Sequence, residues 1–253
     1  MSGPFDLTGR LAVVTGATRG IGAAAAVALA AAGADVVGLG SSRPPGEDVA
    51  GAVRAHGRSF DGIAADLGDR AAVRELADEL AGRDRPVDVL VNNAGTIRRE
   101  PAATHPLADW DEVLAVDLTS PFLLAQAVGR TMVARGSGKV VFTASLLSFQ
   151  GGITVPGYAA AKHAIAGLTK ALANEWAASG VNVNAVAPGY VATDNTRALR
   201  DDPERSRAIL DRIPAGRWAT AQDVAGAVVY LASPAADYVH GVVLPVDGGW
   251  LAR

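Results

Sequence analysis

Seven short apolar runs, most of them β-branched, recur along the chain with helically spaced stretches between them. They are LAVVTG (11–16), DVVGLG (35–40), SFDGIAAD (59–66), VDVLVNNAG (87–95), KVVFTAS (139–145), VNVNAVAPG (181–189) and VVLPVDGG (242–249). Helical spacing covers 20–32, 69–81, 107–135, 158–178 and 220–232. Most of the runs are nearly continuous, which suits parallel strands covered by helices on both faces. This alternation confines the chain to an α/β class: a single-domain, Rossmann-like, doubly wound parallel sheet of about seven strands. Pro245 has no N–H for a ladder and marks the last strand as a sheet edge. No linker, repeat or low-complexity block divides residues 1–253. The stretch 190–218, long, charged and arginine-rich, breaks the rhythm and reads as a partly helical insert acting as a substrate lid.

The remaining composition mostly excludes. A formal charge of −3 carries no polyanion-binding signature, so nucleic acid is not an expected partner. The absence of cysteine removes disulfides, thiolate nucleophiles and zinc–thiolate sites. His56, His105, His163 and His240 are scattered without ligand spacing, and no metal site is expected. The start, MSGPFDLTGR, does not read as a signal peptide, and no run approaches the ~18 uninterrupted apolar residues of a membrane span. A soluble, cytoplasmic protein is the expectation.

The first strand runs into TGATRGIG (15–22) and then an alanine-rich helix. Gly16, Gly20 and Gly22 stand one residue wider than the dinucleotide fingerprint but obey the same logic. One allows a tight turn, one lets the backbone approach a pyrophosphate, and one lets helix pack on strand. Thr18, Arg19 and Ile21 complete the turn, and the helix N-terminus faces the phosphates. The second strand ends in LGSSRP (39–44) without the carboxylate that would bind an adenosine ribose. Ser41, Ser42 and Arg43, with Arg19, favour a 2′-phosphate instead, which points to NADP.

NNAG (92–95) ends the fourth strand at the carboxyl edge of the sheet, where ligands of such folds bind. Ser145 ends the fifth strand, thirteen residues before Tyr158. Tyr158 and Lys162, in YAAAK (158–162), share one face of a helix. An ammonium beside a phenol favours its deprotonated form, so Tyr158 can exchange a proton with a substrate hydroxyl or carbonyl. Ser145 would hold that oxygen, and a nicotinamide would carry the hydride.

TGATRGIG, Asp66-Leu67, NNAG, Ser145, YAAAK and PGYVAT (188–193) together resemble the short-chain dehydrogenase/reductase family over the whole chain. The resemblance implies that Asp66 contacts adenine with Leu67 beside it, and that Asn92 contacts the adenine-side ribose next to Ala94 and Gly95. It implies that Lys162 holds the nicotinamide ribose, and that Pro188, Gly189, Val191 and Thr193 enclose the nicotinamide amide. It also implies a homotetramer built on the helices at 107–135 and 158–178. One position departs from the family pattern: Asp117 stands where an asparagine supports a water chain to the lysine. An ionised Asp117 lacks amide donors. Its charge is expected to shift alcohol oxidation to higher pH.

A narrower likeness, carried by NNAGTIRRE (92–100), SLLSFQGG (145–152), PGYVATDNT (188–196), RIPAGRW (212–218) and VDGGWLAR (246–253), is to sugar-acid dehydrogenases of uronate catabolism. Their substrates are small polyhydroxy keto-acids. Arg98, Arg99 and Arg217 are therefore candidate carboxylate clamps, and Gln150, Asn195, Trp218 and Trp250 candidate pocket residues. This likeness implies NAD, whereas the residues after the second strand favour NADP, and both stay open. Two other readings stand beside it: a 3-oxoacyl-thioester reductase of the same family, and a non-catalytic nucleotide-sensing regulator on the same fold.

Overall fold

Each of the seven apolar runs becomes a strand. A computed structural model describes residues 3–253, which form a seven-stranded, wholly parallel sheet in the order β3-β2-β1-β4-β5-β6-β7. The strands are β1 (Leu11–Thr15), β2 (Asp35–Gly40), β3 (Phe60–Ala64), β4 (Val89–Asn92), β5 (Gly138–Thr143), β6 (Val181–Pro188) and β7 (Val243–Val246). Every residue of β1, β4 and β6 is buried, the result of helices covering both faces. β7 is an edge strand, as Pro245 requires. The Val242 and Val246 carbonyls accept from β6, so alternation puts the Pro245 nitrogen on the free side.

The helices sort into two layers. On one face α3 (Arg70–Ala81), α5 (Ser120–Arg135) and α6 (Pro156–Trp176) pack Val73, Leu76, Leu124, Val128, Met132 and Ile165 against Val13, Leu90, Val140 and Phe142. On the other face α1 (Gly20–Ala31), α2 (Glu47–Arg54) and α9 (Ala221–Ala232) pack Ala25, Ala26, Leu29, Val53, Val224 and Leu231 against Ala12, Val14, Val36 and Val91. Alanine serves α1 twice, as a strong helix former and as a small residue that lets the helix lie close to the sheet.

Helix α4 (Leu107–Leu114) continues into α5 through one widened turn, Ala115–Thr119, in which the Ser120 N–H reaches back five residues to the Ala115 carbonyl. Such π-type turns often mark functional positions, and this one carries Asp117. By length and composition alone the 107–135 helix could cross a membrane, yet half of its apolar window is buried in the fold. The stretch 190–218 holds two short helices, α7 (Arg197–Arg200) and α8 (Pro203–Leu210), which cover a small cluster of Leu146, Ile209, Ile213 and Trp250.

Helix α2 has no counterpart in the sequence reading. Its eight residues show the period only at Val49, Ala50 and Val53, too short a record to separate a helix from a loop. Helix α6 begins at Pro156, two residues earlier than expected, because proline is well placed in a first turn.

Candidate active site

The strand order reverses between β1 and β4, and there the carboxyl ends of the strands open a cleft of about 970 Å³. Thr15 ties the two strands together: its Oγ1 accepts from the Asn93 and Ala94 N–H groups, both at 2.9 Å, and its carbonyl accepts from Asn93 Nδ2 at 3.0 Å. The glycine turn rests on this joint. Gly16 has φ +66°, and a Cβ there would lie 2.9 Å from Ala94 Cα. A Cβ on Gly22 would lie 2.2 Å from the Gly16 carbonyl oxygen, so only glycine lets α1 start this close to the strand. No side chain caps α1, and its first turn holds no acid, so its free N–H groups and positive dipole end stay available to an anion. A cradle shaped this way fits a dinucleotide pyrophosphate.

The residues singled out from the sequence converge on this cleft. The glycine turn contributes Gly16, Thr18, Arg19, Gly20 and Ile21, while the ends of β2 and β3 contribute Ser41, Asp66 and Leu67. Ala94 and Gly95 follow β4, and Pro188, Gly189, Val191, Thr193 and Asn195 follow β6. Ser145, Tyr158 and Lys162 form part of the same wall. Gly22 lies beneath the turn, and Ser42 and Arg43 are exposed beyond the lining. After β4 it is Asn93 that reaches the cleft. Asn92 is buried behind it, with neither amide atom partnered among the described residues.

Ser145 and helix α6 are locked to one another. Ser145 caps a short helical turn, Leu146–Ser148, by accepting the Leu147 N–H at 3.2 Å. Ser148 Oγ donates to the Lys162 carbonyl at 2.6 Å, joining that turn to α6. Ser148 was not read as a site residue, although S-x-x-S is a local capping pattern. Lys162 Nζ lies 5.3 Å from the centre of the Tyr158 ring and donates to the Thr143 carbonyl at 2.9 Å. It also stands 3.2 Å from Asp117 Oδ2, an ion-pair distance without hydrogen-bond alignment. Asp117 Oδ1 accepts the Thr96 N–H at 2.7 Å. Both charged side chains are almost wholly buried. Burial pushes the Asp117 carboxyl above the ordinary carboxylate range, against the pull of Lys162 and the Thr96 N–H. Burial also works against the Lys162 ammonium, but Asp117 and Tyr158 outweigh it and hold its pKa above that of a free lysine. The site therefore keeps a cation one helical turn from the Tyr158 phenol.

A family model described as enoyl-(acyl carrier protein) reductase matches residues 16–251. The 2-dehydro-3-deoxy-D-gluconate 5-dehydrogenase of Pseudoalteromonas atlantica is 56% identical over 250 residues, covering 98% of each chain. The chain belongs to the short-chain dehydrogenase/reductase family. The relative of the same name from Bacillus subtilis is 53% identical, covering 98% of this chain and 97% of its own. A solved structure of a gluconate 5-dehydrogenase from Burkholderia cenocepacia, in complex with NADP and tartrate, matches at a TM-score of 0.91 and 40% identity. That match covers 99% of this chain and 98% of the other. As a member of the family, the chain is an NAD(P)-dependent oxidoreductase acting on CH–OH groups.

Within this short-chain dehydrogenase/reductase cleft, the arginines expected to clamp a carboxylate do not line the wall. Arg98 forks onto Glu112 through Nε and Nη2 at 2.8 and 2.7 Å, and Arg217 forks onto Asp223 at 2.7 and 2.9 Å. Each guanidinium already has its carboxylate. Arg99 is exposed away from the lining, and Gln150 Oε1 instead accepts from the buried Trp250 indole at 3.3 Å. Trp218 packs edge-on against Tyr190, with ring centres 5.5 Å apart. Arg200, not read from the sequence, does line the cleft, and its Nη2 donates to the Thr193 carbonyl at 3.1 Å. In a run as arginine-rich as 197–212, nothing about its spacing sets Arg200 apart.

Proposed function

We propose that this enzyme interconverts a secondary alcohol and a ketone on a small sugar acid of the 2-dehydro-3-deoxy-D-gluconate or 2-deoxy-D-gluconate type. The observation that carries this reading is the meeting of Ser145, Tyr158 and Lys162 with the glycine turn on one cleft. The names of relatives similar over nearly their whole length support the substrate class. Bound nicotinamide supplies the hydride acceptor for oxidation and the donor for reduction. In the oxidising direction Tyr158 takes the substrate hydroxyl proton, Ser145 holds the same oxygen by a hydrogen bond, and the Lys162 ammonium steadies the charge on the phenol oxygen. Asp66, Pro188, Gly189 and Thr193 are the proposed coenzyme contacts along the cleft.

NADP is the coenzyme we favour over NAD. No carboxylate ends β2, Ser41 and Arg19 line the cleft there, and Ser42 and Arg43 are exposed on the same loop. The segment 190–218 serves as the lid, since Thr193, Asp194, Asn195 and Arg200 face the cleft from it. We read the outward faces of α4, α5 and α6, including the exposed Phe122, as contact surfaces of a cytoplasmic homotetramer acting in uronate catabolism.

The test is a spectrophotometric screen of 2-dehydro-3-deoxy-D-gluconate, 2-deoxy-D-gluconate, neutral polyols and 3-oxoacyl thioesters against both coenzymes. Turnover of the sugar acids, faster with NADP, is expected. The family model's description favours a second reading, reduction of acyl thioesters, and activity confined to thioesters would replace the first reading by it. Tyr158→Phe should abolish turnover and leave coenzyme affinity within about twofold, read by fluorescence titration.

A further inference from the structure

We infer that Arg200 binds the substrate carboxylate. The inference rests on the sugar-acid reading above and gives it a residue. Arg19, Lys162 and Arg200 are the cations lining the cleft. Lys162 is committed to Asp117 and the Thr143 carbonyl. Arg19 belongs to the phosphate turn and pairs with Asp194 at 3.4 Å. Arg200 forms no ion pair among the described residues, and its single recorded partner is the Thr193 carbonyl. Its Nε–H is shielded from solvent and has no acceptor.

An unmatched guanidinium with an unsatisfied buried donor is a costly arrangement, and a bound anion relieves both costs. Nε–H belongs to the edge that, in Arg98, takes both oxygens of Glu112. Among common ligands a carboxylate best matches such a side-on fork. The acids on the cleft wall cannot answer it: Glu112 is taken by Arg98, Asp194 by Arg197 and Arg19, and Asp66 accepts the Gly68 N–H. Coenzyme phosphates already have the glycine turn and the start of α1. The remaining anion is the acid group of the substrate. Because Arg200 stands on the 190–218 segment and holds the carbonyl of Thr193, a carboxylate bound there draws that segment onto the substrate.

The full-length protein and its Arg200→Met, Arg200→Lys and Arg207→Met variants decide the matter, with 2-deoxy-D-gluconate as the probe. Arg200→Met should raise KM for the acid roughly 10- to 100-fold while leaving the Kd for NADP within about twofold. Arg200→Lys, which keeps charge without the fork, should fall between Met and wild type, and serves as the deciding variant if the methionine protein melts early. Arg207→Met, at an exposed site, should change nothing. An acid KM that stays within about twofold in Arg200→Met, or a loss of NADP affinity as large as that for the acid, overturns the assignment while the sugar-acid reading stands. Failure of the wild-type protein to turn over any sugar acid removes the reading itself, and the Arg200 assignment with it.

Discussion

Asp117 and Lys162 hold opposite charges 3.2 Å apart with almost no access to water. Removing one partner of such a pair strands the other, which commonly costs about 3 kcal/mol or more. Asp117→Ala should therefore lower stability by that order, read as a shifted urea midpoint at unchanged slope. Asp117→Asn keeps the shape but removes the charge opposite Lys162, so the acid limb of alcohol oxidation should shift from its wild-type position in pH–rate profiles. An unmoved limb would show that Asp117 does not act on the proton transfer. At this scale the sequence was partly readable. The i,i+4 spacing of Tyr158 and Lys162 announced a shared face, and Asp117 stood out against the family pattern. The family pattern put Asp117 near the lysine, but neither the direct ion pair with Lys162 nor the widened turn at Ala115–Thr119 that carries Asp117 was readable. Nor does a sequence distinguish a free arginine from one already paired. Arg98 and Arg217 were expected as clamps and prove to be held by Glu112 and Asp223.

Helix termini follow the same local chemistry. Thr220 caps α9 by accepting the Asp223 N–H, and Asp223 returns to the Thr220 N–H at 2.7 Å while also holding Arg217. Thr220→Ala should cost about 1 kcal/mol. The hydrogen bond from Arg217, then those from Thr220, hold the Asp223 carboxyl well below the usual carboxylate range. A depressed folded-state value contributes stability above the unfolded value of about 3.9, and the contribution is lost as pH falls through the folded value. The stability gap between wild type and Asp223→Asn should thus be constant above about pH 5 and narrow in acid, as thermal melts across pH would show. In the glycine turn, Gly22→Ala would push a methyl into the Gly16 carbonyl, and should weaken coenzyme binding and stability together. The inner strands were legible because buried parallel strands need continuous apolar runs. Helix α2 was not, since eight residues give one apolar face too few repeats to register.

Over the whole molecule, two helical layers stabilise the sheet, whereas α8 depends on the small cluster around Trp250, Ile209 and Ile213. Trp250→Ala should loosen this segment before it affects the sheet. Trypsin should then cut at Arg197, Arg205 or Arg207 at least tenfold faster, with the main melting transition little changed. Helical cover on both faces and the convergence of the strand ends followed from the pattern of runs, and the edge position of β7 followed from Pro245. The path of residues 190–218 did not, because long-range packing decides it. Pro245 carries a last implication. Another chain laid along the open flank of β7 would meet a position with no proton to donate. Pro245 should therefore disfavour edge-to-edge association of copies, and its replacement by threonine should leave the fold intact while making concentrated solutions turbid on warming.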